Sequence, residues 1–127
     1  MLFVQIYADP EGESHFREID VPDSERAFGP PPNPTGRLAD FGTTTNMFVF
    51  TVPAGTVVPA HPAPQAYISV ILDGEVEVIA SDGESRCFGP GNLMFCDDLA
   101  GKGHVTRALV ETTGAFINRL SAQAATP

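Results

Sequence analysis

The chain has 127 residues and a mass of 13.5 kDa, enough for one domain with its own core and too little for two. Seven Lys and Arg against 16 Asp and Glu leave a formal charge of −9. That argues against nucleic acid and anionic membranes as partners, since both need Lys and Arg patches. Twelve Gly and twelve Pro, with no collagen-like period, favour many turns and short strands over long helices.

Residues 2–7 form an apolar run with β-branched and aromatic members and predict a first strand. Asp9-Pro10-Glu11-Gly12 is a turn. Residues 14–21 alternate and predict a second strand, ended by Pro22. Residues 22–46 lack periodicity, and Gly29-Pro30-Pro31-Pro32-Asn33-Pro34 excludes a helix interior or a central strand. An extended surface segment lying across a barrel mouth is expected there. Strands follow at 47–52, stopped by Pro53 and Gly55, and at 67–72, ended by the hairpin signal Asp73-Gly74. Residues 75–80 alternate charge with apolar groups, so one face of that strand is wet. Further strands are predicted at 85–88, at 93–96 after Gly89-Pro90-Gly91-Asn92, at 104–110 and at 115–120. The tail 121–127 reads as frayed. No segment carries an apolar stripe at helical period, so the fold class is all-β, a barrel or sandwich.

Cys87 and Cys96 lack C-x-x-C spacing and read as reduced, buried, small hydrophobes. Met1-Leu2-Phe3-Val4 is too short a run for a secretory leader, and no stretch approaches the ~18 apolar residues of a membrane span. The expectation is a cytoplasmic protein with a small-molecule ligand and neither nucleic acid nor membrane as partner.

Residues 55–74 read GTVVPAHPAPQAYISVILDG. With Gly55, His61 and Gly74 in place, this resembles the first cupin motif, G-x5-H-x-H-x3-4-E-x6-G. Residues 88–95, followed by Gly101-Lys102-Gly103-His104, are similar to the second motif. The resemblance spans residues 46–118. It implies a cupin double-stranded β-barrel, a jelly roll of two packed antiparallel sheets, with 1–127 as a single domain. Residues 1–45 would supply the N-terminal strands and the Pro-rich segment, 46–120 the barrel core, and 121–127 the tail. In such barrels a His pair, a Glu and the second-motif His usually hold Fe, Mn, Ni or Zn in the interior pocket.

This sequence departs from that ligand set. Ala63 stands where the second His would be, Tyr67 where the Glu would be, and Ala108 at the second-motif Asn position. His61 and His104 remain. Two imidazoles are a poor cage for a divalent metal, and a phenol must lose its proton to join them. No cofactor is expected; a weakly bound metal, if present, would rest on His61 and His104.

Freed from a metal, such a site suits proton transfer. His104 is the expected general base, because the resemblance places it deep in the barrel. His61 would position the substrate or return the proton, and Tyr67 would hold a developing enolate oxygen. Apolar walls come from among Met47, Phe48, Val49, Phe50, Ile71, Met94 and Phe95, half of them by strand parity. Met47, Val49, Gln65, Ile71 and Met94 are the expected substrate contacts. The chemistry would be isomerisation, cyclisation or dehydration of a small carbonyl metabolite. Two other readings stand beside it. One is a metal-dependent oxygenase or hydrolase whose ligand set is completed by Tyr67, Gln65 or water. The other is a non-catalytic barrel that binds a small ligand.

Other polar residues have plainer readings. His15 is expected at a surface or edge, Asp97-Asp98 with Lys102 in a solvated turn, with the rim of the pocket mouth as the alternative, and Arg107 in an ion pair outside the barrel. Ile68, Val70 and Leu72 share one face of their strand while Tyr67, Ser69 and Ile71 share the other. With both faces largely apolar, a homodimer is expected to cover the outer one. Coverage by the chain's own N-terminal region is the alternative.

Overall fold

The computed structural model describes residues 1–120; the tail 121–127, expected to fray, lies outside the described residues. Among the described residues there are twelve strands and no helix. Six strands form the larger sheet, in the order β2 (Ser14–Asp20), β1 (Leu2–Ala8), β10 (Leu93–Asp97), β7 (Tyr67–Asp73), β12 (Thr112–Arg119) and β5 (Thr44–Val52). Four form a second sheet, in the order β6 (Val57–His61), β11 (His104–Ala108), β8 (Val76–Ala80) and β9 (Ser85–Phe88). All pairings in these two sheets are antiparallel except β1 with β10. The all-β expectation therefore holds. The strands β5 and β6, consecutive in the chain, are edges of different sheets.

The sheets face each other across a mixed core. Ile6, Phe16, Ile71, Met94 and Cys96 from the larger sheet meet Val76, Val78, Ala80 and Phe88 from the smaller. A second cluster lies on the other face of the larger sheet, where Ile19 and Val21 pack with Ile68 and Phe95, flanked by Phe41 and Ala39. The chain's own residues therefore cover much of the β7 face that was expected to need a partner. Leu72, at the end of that face, stays 53% exposed.

Three strands were not expected. The segment 22–46 is not simply extended: β3 (Asp23–Ala27) and β4 (Thr35–Ala39) pair as a hairpin, with the Pro-rich stretch as its connection. Most of its residues are exposed, so it carries no apolar alternation to read. Polar cross-strand pairs hold it, including Arg37 to Asp23 at 2.6 Å and Thr35 to Glu25 at 2.9 Å. β6 was also missed, being an exposed edge strand interrupted by Pro59.

Three smaller expectations resolve here. Cys96 is fully buried, but Cys87 is exposed, because Phe88 beside it takes the inward position on β9. Arg107 bonds Glu77 at 2.7 Å on the outer side of the small sheet. His15 lies on the edge strand β2, between Asp9 at 2.7 Å and Asp82 at 2.8 Å.

Candidate active site

A cavity of about 430 Å³ lies between the two larger sheets. The larger sheet contributes Phe48, Phe50, Val52, Tyr67, Ser69, Ile71, Met94, Phe116 and Asn118. The smaller contributes Val58, His61, Val76, Val78, His104, Thr106 and Ala108, with Thr56 just ahead of it. Each set follows from strand alternation: 48, 50 and 52; 67, 69 and 71; 104, 106 and 108. Ile71 and Met94 line the cavity as expected of them. Met47 and Val49 do not. The parity of β5 sends Phe48 and Phe50 inward and leaves Met47 and Val49 each 61% exposed. Gln65 is exposed in the loop before β7 and is also absent from the wall.

His61 and His104 are direct partners across the antiparallel pair β6–β11. Plain alternation from Val58 would send His61 to the opposite face. The register slips between His104/His61 and Thr106/Val58, where β6 holds one residue more than β11. That bulge, containing Pro59, turns both Val58 and His61 to the cavity. His61 donates Nδ1–H to the Pro59 carbonyl at 2.9 Å, which leaves its Nε2 as the acceptor.

His104 is buried, and its Nδ1 meets Asp98 Oδ2 at 2.5 Å. A carboxylate there makes Nδ1 the donor and leaves the Nε2 lone pair as the ring's other functional atom. Asp98 is fully buried, and its Oδ1 has no hydrogen-bond partner among the described residues. The expectation of a solvated turn at Asp97-Asp98 is therefore overturned. Both side chains are buried: Gln5 donates to Asp97 at 2.7 Å, and the Asp98 carbonyl accepts from Ala63 N–H at 2.9 Å. The signal for Asp98 was parity, since Met94, Cys96 and Asp98 share one side of an extended run.

Tyr67 pairs with Cys96 across β7–β10 and with Asn118 across β7–β12. Its ring stands edge-on to Phe116 with centroids 5.1 Å apart. Burial, then the neighbouring Cys96 and Asp98, hold the Tyr67 phenol far above its ordinary range. It is a neutral hydroxyl beside the Cys96 side chain. Burial likewise pushes the Cys96 thiol well up, so it is no nucleophile.

The structure thus brings His61, His104 and Tyr67 to one cavity and sets Asp98 behind His104. The donor set does not fit a transition metal. Two imidazoles face the cavity, Ala63 is a buried methyl where a third ligand would stand, and Tyr67 is held as phenol. Among the described residues no three His, Cys, Asp or Glu side chains are grouped to hold an ion.

No family profile and no curated protein matches the chain. Solved structures do. A conserved protein of unknown function from Streptococcus pyogenes matches with TM-score 0.51 and 22% identity, over 61% of this chain and 65% of the other. The chain thus spans slightly less than two thirds of that protein. An RmlC-like cupin protein from Desulfovibrio desulfuricans matches at 0.47 and 21% identity, over 57% and 69%. The polyketide cyclase RemF from Streptomyces resistomycificus matches at 0.47 and 16%, over 81% and 74%. At these identities the likeness is one of fold. The structural neighbours therefore include an RmlC-like cupin, the superfamily that residues 46–118 resemble in sequence.

Proposed function

We propose that this protein is an enzyme of acid–base chemistry, moving a proton beside the carbonyl of a small compound held in the cavity. Isomerisation, cyclisation and dehydration are the reaction types it would serve. One observation carries the reading: a buried imidazole with its Nδ1 fixed by a buried carboxylate at 2.5 Å, on the wall of a mostly apolar cavity. An imidazole so oriented has one job left, at Nε2.

In this reading His104 Nε2 removes the proton α to the carbonyl, and the electron pair moves to the carbonyl oxygen as an enolate. Asp98 holds the ring in place and stabilises the imidazolium that forms. Tyr67 supplies a neutral hydroxyl for the enolate oxygen, a better acceptor than the Cys96 sulfur. The His104 imidazolium then returns that proton to carbon, and His61, opposite it, positions the substrate. No step runs through a metal.

The test uses 2-acetylnaphthalene in D₂O, following deuterium entry into its methyl group by proton NMR. The protein should accelerate exchange, and His104→Ala should lower the rate ~10²–10⁴-fold with the strand content unchanged. Binding of the ketone without any acceleration would leave a ligand-holding barrel instead.

A further inference from the structure

We infer that the cavity takes an uncharged, planar ring ketone and rejects carboxylated or phosphorylated compounds. The inference deepens the preceding reading by naming the substrate class, and rests on it only for the carbonyl. It begins with where the cations are. The sequence has seven Lys and Arg, and none lines the cavity.

All seven are engaged elsewhere. Arg17 bonds Gln5 and lies over the Tyr7 ring; Arg26 bonds Ser24. Arg37 pairs with Asp23, Arg86 with Glu84, Lys102 with Glu13, and Arg107 with Glu77. Arg119 is buried beside Asp97 at 3.7 Å. The other common anion cradle, a helix N-terminus, is absent among the described residues. The charge nearest the cavity's polar end is the Asp98 carboxylate, which repels an anion. A phosphate or carboxylate entering here would lose its water and find no Lys or Arg to compensate it.

The walls supply the shape. Phe50 and Phe116 stack with centroids 4.6 Å apart and planes 20° from parallel. Gly114 makes this possible, because a Cβ there would come within 2.6 Å of the Phe50 ring. Val58, Val76 and Val78 face them from the other sheet. Register separates the cavity into two ends. His104 with His61, and Tyr67 with Asn118, mark the polar end. Ile71 with Gly114, and Val76 with Ala108, mark the apolar one. A ring body fits the apolar end with its carbonyl at the histidines. A volume of about 430 Å³ has room for a fused-ring compound.

Equilibrium dialysis at pH 8 tests this with two probes of nearly equal shape, 2-acetylnaphthalene and 2-naphthoate. The protein has no Trp, so naphthalene absorbance reads bound ligand clearly. The ketone should bind roughly tenfold or more tighter than the anion. Val58→Lys places an ammonium on the wall from an exposed edge strand, 41% exposed, where the fold tolerates it. It should raise the affinity for naphthoate relative to the ketone roughly tenfold. Phe116→Leu should weaken the naphthyl ketone several-fold more than the open-chain 2-nonanone. Equal binding of the two probes, preference for naphthoate, or no binding of the ketone would each overturn the inference. So would a Val58→Lys protein that still rejects naphthoate, or a Phe116→Leu protein that weakens both ketones alike. Selective binding without deuterium exchange would sink the acid–base reading and leave this one standing.

Discussion

Gly103 packs directly against the main chain of His61: a side-chain carbon at 103 would land on the His61 carbonyl. Its backbone sits at φ 70°, a region that L side chains rarely adopt. The contact joins the residue just before His104 to the residue opposite it, so the two histidines are set by one close approach. Gly103→Ala combines strain with a clash against backbone that cannot swing aside. We expect it to cost about 2 kcal/mol or more and to lower the melting temperature by roughly 5 °C or more. A calorimetric scan superimposing on the parent would show that the approach is not needed.

His15 ties together the turns after β1 and β8, and its titration should show in stability. The hydrogen bonds it donates to Asp9 and then Asp82 raise its pKa above the ordinary 6.5. The His15 contact comes first in lowering Asp9; in Asp82 it follows a hydrogen bond from the Glu84 backbone; both lie below the ordinary 3.8. The His15 contribution is complete below pH 6.5 and is lost as pH rises through its raised folded value. The carboxylate contribution is complete above 3.8 and is lost as pH falls through their lowered values. The clasp is therefore at full strength between about pH 4 and 6.5. Melting curves of the parent and His15→Gln should differ most in that window and converge above and below it. A difference independent of pH would mean that packing against Tyr7, at 5.6 Å, matters instead of charge.

The turn-rich sequence made the strands and the two surviving motif histidines legible, because those signals are local. What it hid depended on register. Plain alternation cannot reveal the β6 bulge that carries His61 inward, since the extra residue is visible only against β11. In a run as uniformly apolar as 47–50, either parity looks acceptable, so Met47 and Val49 were placed on the wrong side. Asp98 reads as loop composition; its parity with Met94 and Cys96 points inward, but that signal carries weight only once its partner His104 is in place.

The homodimer expected from β7 loses part of its warrant to Ile19, Val21 and Phe41, which cover that face within one chain. The outer side of β5 remains open, with Met47 and Val49 exposed, and β5 is an edge strand with unpaired backbone groups. A second copy can pair along such an edge antiparallel to the first. Sedimentation at tens of micromolar should give twice the 13.5 kDa chain mass, and Val49→Lys should return it to one. A parent protein sedimenting as a single chain would remove the dimer.

Adding Zn²⁺, Ni²⁺ or Mn²⁺ should leave the melting temperature within about 2 °C, because a native-state ligand stabilises only in proportion to its affinity. Two imidazoles and a neutral phenol offer little. Elemental analysis of protein purified without chelator should find well under one equivalent. A full equivalent of any of these metals would make His61 and His104 ligands and remove His104 from the role of base.

Asp98 is the residue through which the site can be tested most sharply, because its proposed role is to act on His104 and not on the substrate. Asp98→Asn keeps the volume and removes the charge. The Asn amide can present either its oxygen or its NH₂ to Nδ1, and with the NH₂ turned there the ring's proton moves to Nε2, the atom meant to accept one. The expected result is a fall in kcat for deuterium exchange on the order of 10²-fold or more, with the dialysis affinity for 2-acetylnaphthalene within about twofold of the parent. Tyr67→Phe should lose less, about tenfold, the scale of one hydrogen bond to developing charge. A merely structural Asp98 would behave differently: its loss would lower the melting temperature and the ketone affinity together, and kcat per folded molecule would hold. Unchanged kcat in a well-folded Asp98→Asn protein would therefore detach the carboxylate from the chemistry, whatever His104 itself does.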